Sequence, residues 1–247
     1  MDLQLKNKVI IVTGGASGIG AAICKTLAEE GAIPCILDLR EGDGFSIVVE
    51  LTDPVACRRA VEEVMKRWGR IDGVVNNAGL NDGVGLETGG EEGFVRSLER
   101  NAGHYYQVAH SALSALEDSR GCIVNIISKV AFTGQGNTSG YAAANGVRAE
   151  LTQEWALELA SRGIRVNGVV VAECWTPAYE KWISGLQNGT EQLKEIEAMV
   201  PLENRLTKPK EIADTVVFLL SPLSQGVKGE LVHVDGGYVH LDRRAGG

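Results

Sequence analysis

Two hydroxyl-bearing residues stand where alcohol–carbonyl chemistry needs them. Tyr141 opens the Ala-rich helical stretch in GQGNTSGYAAANGVRAELTQEWALELA (134–160), and Ser128 closes the apolar run CIVNIIS (122–128) just before it. Converging on one oxygen, such a pair divides the work: one hydroxyl transfers a proton and the other holds the oxygen in place. Taken singly, a tyrosine at a helix start is more often a packing residue, and a serine at a strand end more often a turn residue. Asn145 follows Tyr141 by four residues, one helical turn along the same face.

A second constellation is suited to a dinucleotide. TGGASGIG (13–20) lies between the apolar run VIIVT (9–13) and a helical pattern, the context a phosphate-binding turn requires. Gly14 allows a tight exit from the strand, Gly18 a close approach of backbone to pyrophosphate, and Gly20 close packing of helix on sheet. Ser17, Gly18, Ile19 and Gly20 then offer the free N–H groups of a helix start to the phosphates. Asp38 ends the next strand, about twenty residues on, where a carboxylate accepts ribose hydroxyls and repels a 2′-phosphate. That points to NAD rather than NADP, with Arg40 nearby working against the preference.

The elements that must position these groups alternate. Strands are expected at VIIVT (9–13), IPCILD (33–38), SIVVEL (46–51), within DGVVNNAG (72–79, a strand with its exit loop), and at CIVNIIS (122–128), IRVNGVVV (164–171) and ELVHVDGG (230–237). Helical patterns separate most of them, including EEGFVRSLERNAGHYYQVAHSALSALE (91–117) as one long helix, the stretch opened by Tyr141, and KPKEIADTVVFLLS (208–221). Continuous apolar strands between helices mean a parallel sheet covered on both faces. The expectation is an α/β, Rossmann-like, doubly wound sheet of about seven strands forming a single domain over 1–247. LREGDGF (39–45) is too short for an ordinary parallel crossover, so the third strand reads as a short edge strand.

Composition narrows the partners. A chain of 247 residues with net charge −8 and no block of Lys or Arg argues against nucleic acid and anionic membrane. The five cysteines are odd in number and lack C-x-x-C spacing, so neither a disulfide framework nor a metal site is expected. The first residues lack the shape of a signal peptide, and no apolar run reaches membrane-spanning length; the expected compartment is the cytoplasm.

TGGASGIG, NNAG (76–79), the serine closing NIIS, the tyrosine opening its helix and VDGG near the end follow the order and spacing of the short-chain dehydrogenase/reductases, which the chain resembles over nearly its whole length. NNAGLNDGVGL, SLERNAGHYY, TGQGNTSGYAA, WTPAYEKWI, DTVVFLLSP and VDGGYVHLDR are most similar to bacterial sugar dehydrogenases of the L-fucose dehydrogenase type. The resemblance implies that Tyr141 exchanges a proton with the substrate oxygen and that Ser128 holds that oxygen. It implies that the backbone of Asn101 keeps a relay water, and that Asn77, Ala78 and Gly79 line the adenosine and support the central strand. It places Glu50 near the adenine and Thr176 at the nicotinamide carboxamide. It also implies a homotetramer or homodimer, paired through the helices at 91–117 and 140–161.

Two departures stand out. The family pattern is tyrosine, three residues, lysine; here the fourth residue is Asn145. In the family the lysine charge favours the phenolate and its ammonium holds the nicotinamide ribose. A unit charge about 4 Å from a phenolate is worth roughly 4 kcal/mol at an effective dielectric near 20. Asparagine lacks that charge, though its amide can bond a ribose hydroxyl, so a rate loss of about a hundred- to a thousandfold is expected with cofactor binding better preserved. Lys129 is expected to point away from Ser128's side, and Arg148, seven residues past Tyr141, to lie out of reach. The second departure is Val171-Ala172 where Pro-Gly is expected. Gln135, Asn137, Asn81 and Asp82 offer polar groups suited to a polyol, and Trp175 falls in the same region; Glu173 either faces a substrate hydroxyl or is simply solvated. Two functions follow: an NAD-dependent oxidoreductase of a sugar or polyol, impaired by Asn145, or a catalytically silent NAD(H)-binding protein serving as sensor or assembly partner.

Overall fold

The computed structural model describes residues 1–241; the last two residues of VDGGYVHLDR, 242–243, lie outside it. Seven strands form one sheet in which every neighbouring pair is parallel: β1 (Val9–Thr13), β2 (Ile33–Asp38), β3 (Phe45–Val48), β4 (Gly73–Asn76), β5 (Cys122–Ser128), β6 (Arg165–Val171) and β7 (Leu231–Val234). The order is β3-β2-β1-β4-β5-β6-β7, so the winding reverses between β1 and β4.

Alternation along β1 shows how the sheet is covered. Val9 and Ile11 face one helical layer, built on α2 (Pro54–Trp68), α4 (His104–Ser119) and α5 (Ser139–Glu158), with Val61, Leu116 and Trp155 in that core. Ile10 and Val12 face the other, built on α1 (Gly18–Glu29) and α8 (Pro209–Leu220), with Ile23, Leu27, Ile212 and Val216. All five cysteines are buried and unpaired, and burial pushes the Cys122 thiol up to about 11, as a packing residue requires.

The third strand is the short edge strand, paired only over Phe45–Val48. The chain then leaves the sheet: Val49 N–H donates to the Asp38 carbonyl, and Asp53 caps α2 by accepting from the Val55 and Ala56 N–H groups. The expected long helix at 91–117 is interrupted. α3 (Gly90–Leu98) passes through a wide π-type turn at Glu99–Gly103 before α4 begins, and Asn101 sits inside that turn. The stretch after β6 forms α6 (Pro177–Ser184) and α7 (Gly189–Ala198).

At the opposite end of the sheet from the candidate site, Asp72 ties the start of β4 to β1. Its carboxylate accepts from Arg70 at 2.6 and 2.8 Å, from Lys8 at 3.0 Å and from the Val9 N–H at 3.0 Å. Burial pushes the carboxyl up, but Arg70, the Val9 amide and Lys8 together outweigh it and hold it below the usual range. A depressed carboxyl contributes stability that is present at neutral pH and lost as pH falls through the carboxylate range, below about 4. Asp72→Asn is expected to lower unfolding stability by about 2–4 kcal/mol at pH 7, with a smaller difference at pH 3, measured by denaturant titration.

Candidate active site

The loops leaving β1, β4, β5 and β6 meet at the C-terminal edge of the sheet, beside the point where the winding reverses, which is where open α/β sheets hold ligands. The β1 loop is built to accept phosphate. Gly14 and Gly18 take left-handed φ values of 66° and 56°. A Cβ on Gly20 would stand 2.1 Å from the Gly14 carbonyl oxygen, so only glycine lets α1 pack this close. Ser17 starts α1 without a side-chain capping bond, and no acidic residue occupies the first turn, which leaves N–H groups of Gly18, Ile19 and Gly20 directed outward. Asp38 lies against this turn, its carboxylate accepting the Ala16 N–H at 3.0 Å. These residues fit a dinucleotide.

Asn77 serves the same turn from the β4 loop. Its Nδ2 donates to the carbonyls of Thr13 (3.0 Å) and Gly14 (3.2 Å), while Thr13 Oγ1 accepts the N–H groups of Asn77 and Ala78. Thr176 caps α6 by accepting the Tyr179 N–H, and its Cγ2 faces Gly18 at 3.4 Å from the position a Cβ there would take. Glu50 lies just beyond the β2–β3 edge, where its carboxylate accepts from the Thr52 N–H and hydroxyl.

Asn145, one helical turn after Tyr141, ties the backbone of Tyr141 to that of Ser128. The Asn145 Oδ1 accepts the Ser128 N–H at 2.7 Å, and its Nδ2 donates to the Tyr141 carbonyl at 2.8 Å. Asn145 is 0% exposed, so the carboxamide ties the end of β5 to the start of α5 and leaves no exposed atom for the expected ribose contact.

Arg148 corrects the sequence reading most sharply. Expected out of reach, it is buried within the site. Its Nη1 donates to Asn145 Oδ1 at 3.1 Å, and its guanidinium carbon lies 4.5 Å from the centre of the Tyr105 ring and 5.9 Å from that of Tyr141. The resemblance assigns the backbone of Asn101 to a relay water; here its carbonyl accepts the Arg148 Nε–H at 2.7 Å. The Asn101 side chain is committed as well: Oδ1 accepts the Leu80 N–H and Nδ2 donates to the Ser97 carbonyl. Room for the guanidinium comes from Gly79, where a Cβ would stand 2.5 Å from Arg148 Nη2. Beside it His104 is buried, and burial together with the Arg148 charge pushes its imidazole down to about 3, keeping it neutral.

The outer wall of the site is polar and aromatic. Lys129 begins a short turn after β5 and is buried; its ammonium meets Glu173 at 2.5 Å and lies 3.8 Å from the centre of the Tyr238 ring. Glu173 is therefore neither solvated nor free, but half of an ion pair. Trp175 is 40% exposed beside Tyr179. Gln135 and Asn137 are exposed on the loop before Tyr141, and they line a depression with Val130 and Ala142. Asn81 is exposed, whereas Asp82 is taken up by the Ser97 hydroxyl at 2.9 Å and by Arg100 at 3.6 Å.

Comparison with known proteins gives concordant matches. A family model described as enoyl-(acyl carrier protein) reductase matches residues 14–239. The L-fucose dehydrogenase of Bos taurus is 34% identical over 257 residues, spanning all of this chain and 95% of that protein. Among solved structures, the Cj0485 dehydrogenase is 40% identical with a TM-score of 0.96, and 98% of each chain is covered. The aldohexose dehydrogenase of Thermoplasma acidophilum, in ligand-free form, is 29% identical with a TM-score of 0.92, again over 98% of each chain.

Proposed function

The chain belongs to the short-chain dehydrogenase/reductase family, and we propose that it interconverts a hydroxyl and a carbonyl on a small sugar or polyol with NAD as the partner in hydride transfer. The observation that carries this reading is the Asn145 bridge, which ties the backbone of Ser128 to that of Tyr141; the glycine turn with Asp38 against it supports the cofactor. Kinship with a fucose and an aldohexose dehydrogenase supports the substrate class.

When bound, NAD supplies the acceptor for the hydride that leaves the carbinol carbon. Tyr141 takes the hydroxyl proton during oxidation and returns it during reduction. Ser128 Oγ donates a hydrogen bond to the same oxygen and fixes it against Tyr141. Gln135 and Asn137 bond further hydroxyls, Glu173 contributes its carboxylate edge, and Trp175 offers an apolar face to the sugar's C–H groups. Asp38 holds the adenosine ribose, with Glu50 toward the adenine and Thr176 toward the carboxamide.

The test is the initial rate of NADH formation across a panel of aldoses and polyols, beside NADH binding by fluorescence. Turnover that saturates with one sugar supports the proposal; NADH binding with no turnover on any member favours a silent cofactor-binding protein. Asp38→Ser is expected to weaken NAD binding about tenfold and to raise the relative use of NADP, because the repelling carboxylate is gone; equal preference before and after removes Asp38 from the selectivity. A homotetramer or homodimer is part of this reading. α4 and α5 expose Tyr106 (54%), Val147 (40%) and Leu157 (78%) on their outer faces, an apolar surface suited to helix pairing. Light scattering at micromolar concentration is expected to give a dimer or larger, and a monomer refutes it.

A further inference from the structure

We propose that Arg148 supplies, from one turn deeper in α5, the positive charge beside Tyr141 that the family pattern places on a lysine at position 145. The site is then a rearranged dehydrogenase centre and not a disabled one. This rests on the reading of Tyr141 as the proton-transferring group.

The guanidinium is nearly fully buried, 2% exposed, and among the described residues no carboxylate lies within ion-pair distance of it. Its donors end on neutral oxygens: the carbonyls of Asn101, Ile126 and Ala78 and the side chains of Asn145 and Asn101. Burying a charge against dipoles alone is costly, and an apolar or neutral side chain of similar volume anchors helices as well or better. Anchoring is not what sets Arg148 apart, since Arg165 is buried and held by neutral oxygens in the same way; the two tyrosine rings beside the Arg148 guanidinium are. An unneutralised charge stands 4.5 Å from the centre of the Tyr105 ring and 5.9 Å from that of Tyr141, close enough for its field to act on both. Tyr105 is the unreactive partner of the two: its hydroxyl donates to the Ile126 carbonyl at 2.8 Å, and burial pushes it well above the usual phenol range.

The other charged and titratable groups around the site leave this role open. Lys129 is neutralised by Glu173, Arg100 by Asp82, and His104 is held neutral. Asn145 completes the exchange. As a carboxamide it accepts from the guanidinium and from Ser128 together, which a lysine at 145 cannot do. The neutral residue at 145 and the cation at 148 thus form one unit.

Arg148 is a positioning residue in this scheme, acting through Tyr141. Loss of its charge is expected to lower kcat about 30- to 100-fold in Arg148→Gln, with KM for the sugar and the dissociation constant for NADH within about threefold of wild type. Arg148→Lys is expected to recover most of kcat. The deciding measurement needs neither cofactor nor substrate. Tetranitromethane attacks phenolate, so its site-resolved rate at Tyr141, followed by peptide mass spectrometry in the cofactor-free protein at fixed pH, reads the charge directly. We expect nitration of Tyr141 to slow about tenfold or more in Arg148→Gln, and to return to within about threefold of wild type in Arg148→Lys and in the double variant Asn145→Lys/Arg148→Leu. If Gln prevents folding, Arg148→Met keeps the length without the charge and serves the same purpose. An unchanged nitration rate in either folded neutral variant overturns the proposal. A slowed rate in a wild-type protein background that turns over no sugar upholds the charge and overturns the dehydrogenase reading instead.

Discussion

Replacing Tyr141 with phenylalanine is expected to lower kcat by about a thousandfold while NADH affinity stays within a few-fold. The architecture predicts so clean a loss. Asn145 binds the Tyr141 backbone carbonyl and not its side chain, so the helix start keeps its fastening when the hydroxyl is removed. The ring keeps its place beside the guanidinium, 5.9 Å from its centre. What disappears is the hydroxyl proposed to exchange a proton with the substrate oxygen. Steady-state rates on the best sugar of the panel, with thermal denaturation as a control on folding, measure the effect. A variant that retains more than a tenth of wild-type kcat means that the proton travels by another group, with Ser128 the next to test.

Asn145→Lys, which restores the family pattern in sequence, is expected to destabilise the protein by about 3–5 kcal/mol without raising kcat. Lysine cannot accept, so the Ser128 N–H loses its partner, at a cost of about 1–3 kcal/mol. The new ammonium would also arrive next to a buried guanidinium that now stands 3.1 Å from the residue it replaces. Two like charges side by side, with no carboxylate paired to the guanidinium among the described residues, add a further few kcal/mol. For a domain of this size the melting temperature is expected to fall by roughly 10 °C or more. Calorimetry and initial rates check both halves. A variant with wild-type stability and a hundredfold higher kcat shows that Arg148 swings aside and that the lysine pocket is intact.

That second expectation reverses what the sequence suggests, and the reason lies in side-chain reach. Seven residues along a helix is about 10 Å of rise, which seems to remove Arg148 from Tyr141. Helical side chains lean back toward the N-terminus, however, and a long one recovers much of that distance. The available signal was an arginine on an otherwise Ala-rich face, three residues past Asn145 and seven past Tyr141. The carboxamide's true partners were equally hidden, because Ser128 N–H and the Tyr141 carbonyl are backbone groups that no residue type announces. β1, β2 and β5 were legible to the residue, since short, mostly apolar runs between helical patterns leave little freedom in placing a buried strand. β3 was overestimated: VVEL is apolar enough to read as strand, but Glu50–Asp53 turns to start α2 and only four residues pair. The glycine turn and Asp38 were legible because their chemistry depends on local order along the chain.

The wide turn at Glu99–Gly103 has its own consequence for how this chain tolerates change. A π-type turn takes in one residue more than the regular helix, so everything from His104 onward is rotated by about 100° from the phase an uninterrupted helix would give it. Deleting a single residue between 99 and 103 would wind the two helices into one straight rod. Because such a deletion removes the one residue that the turn takes in, Tyr105 would keep its place on the core face; what would be lost is the widened backbone from which the Asn101 carbonyl meets the guanidinium. A residue lost from within α4 itself acts like a slipped gear tooth, turning the side chains on one side of it by about 100°, whereas one lost from the wide turn or from the exposed loop at 134–137 is taken up locally.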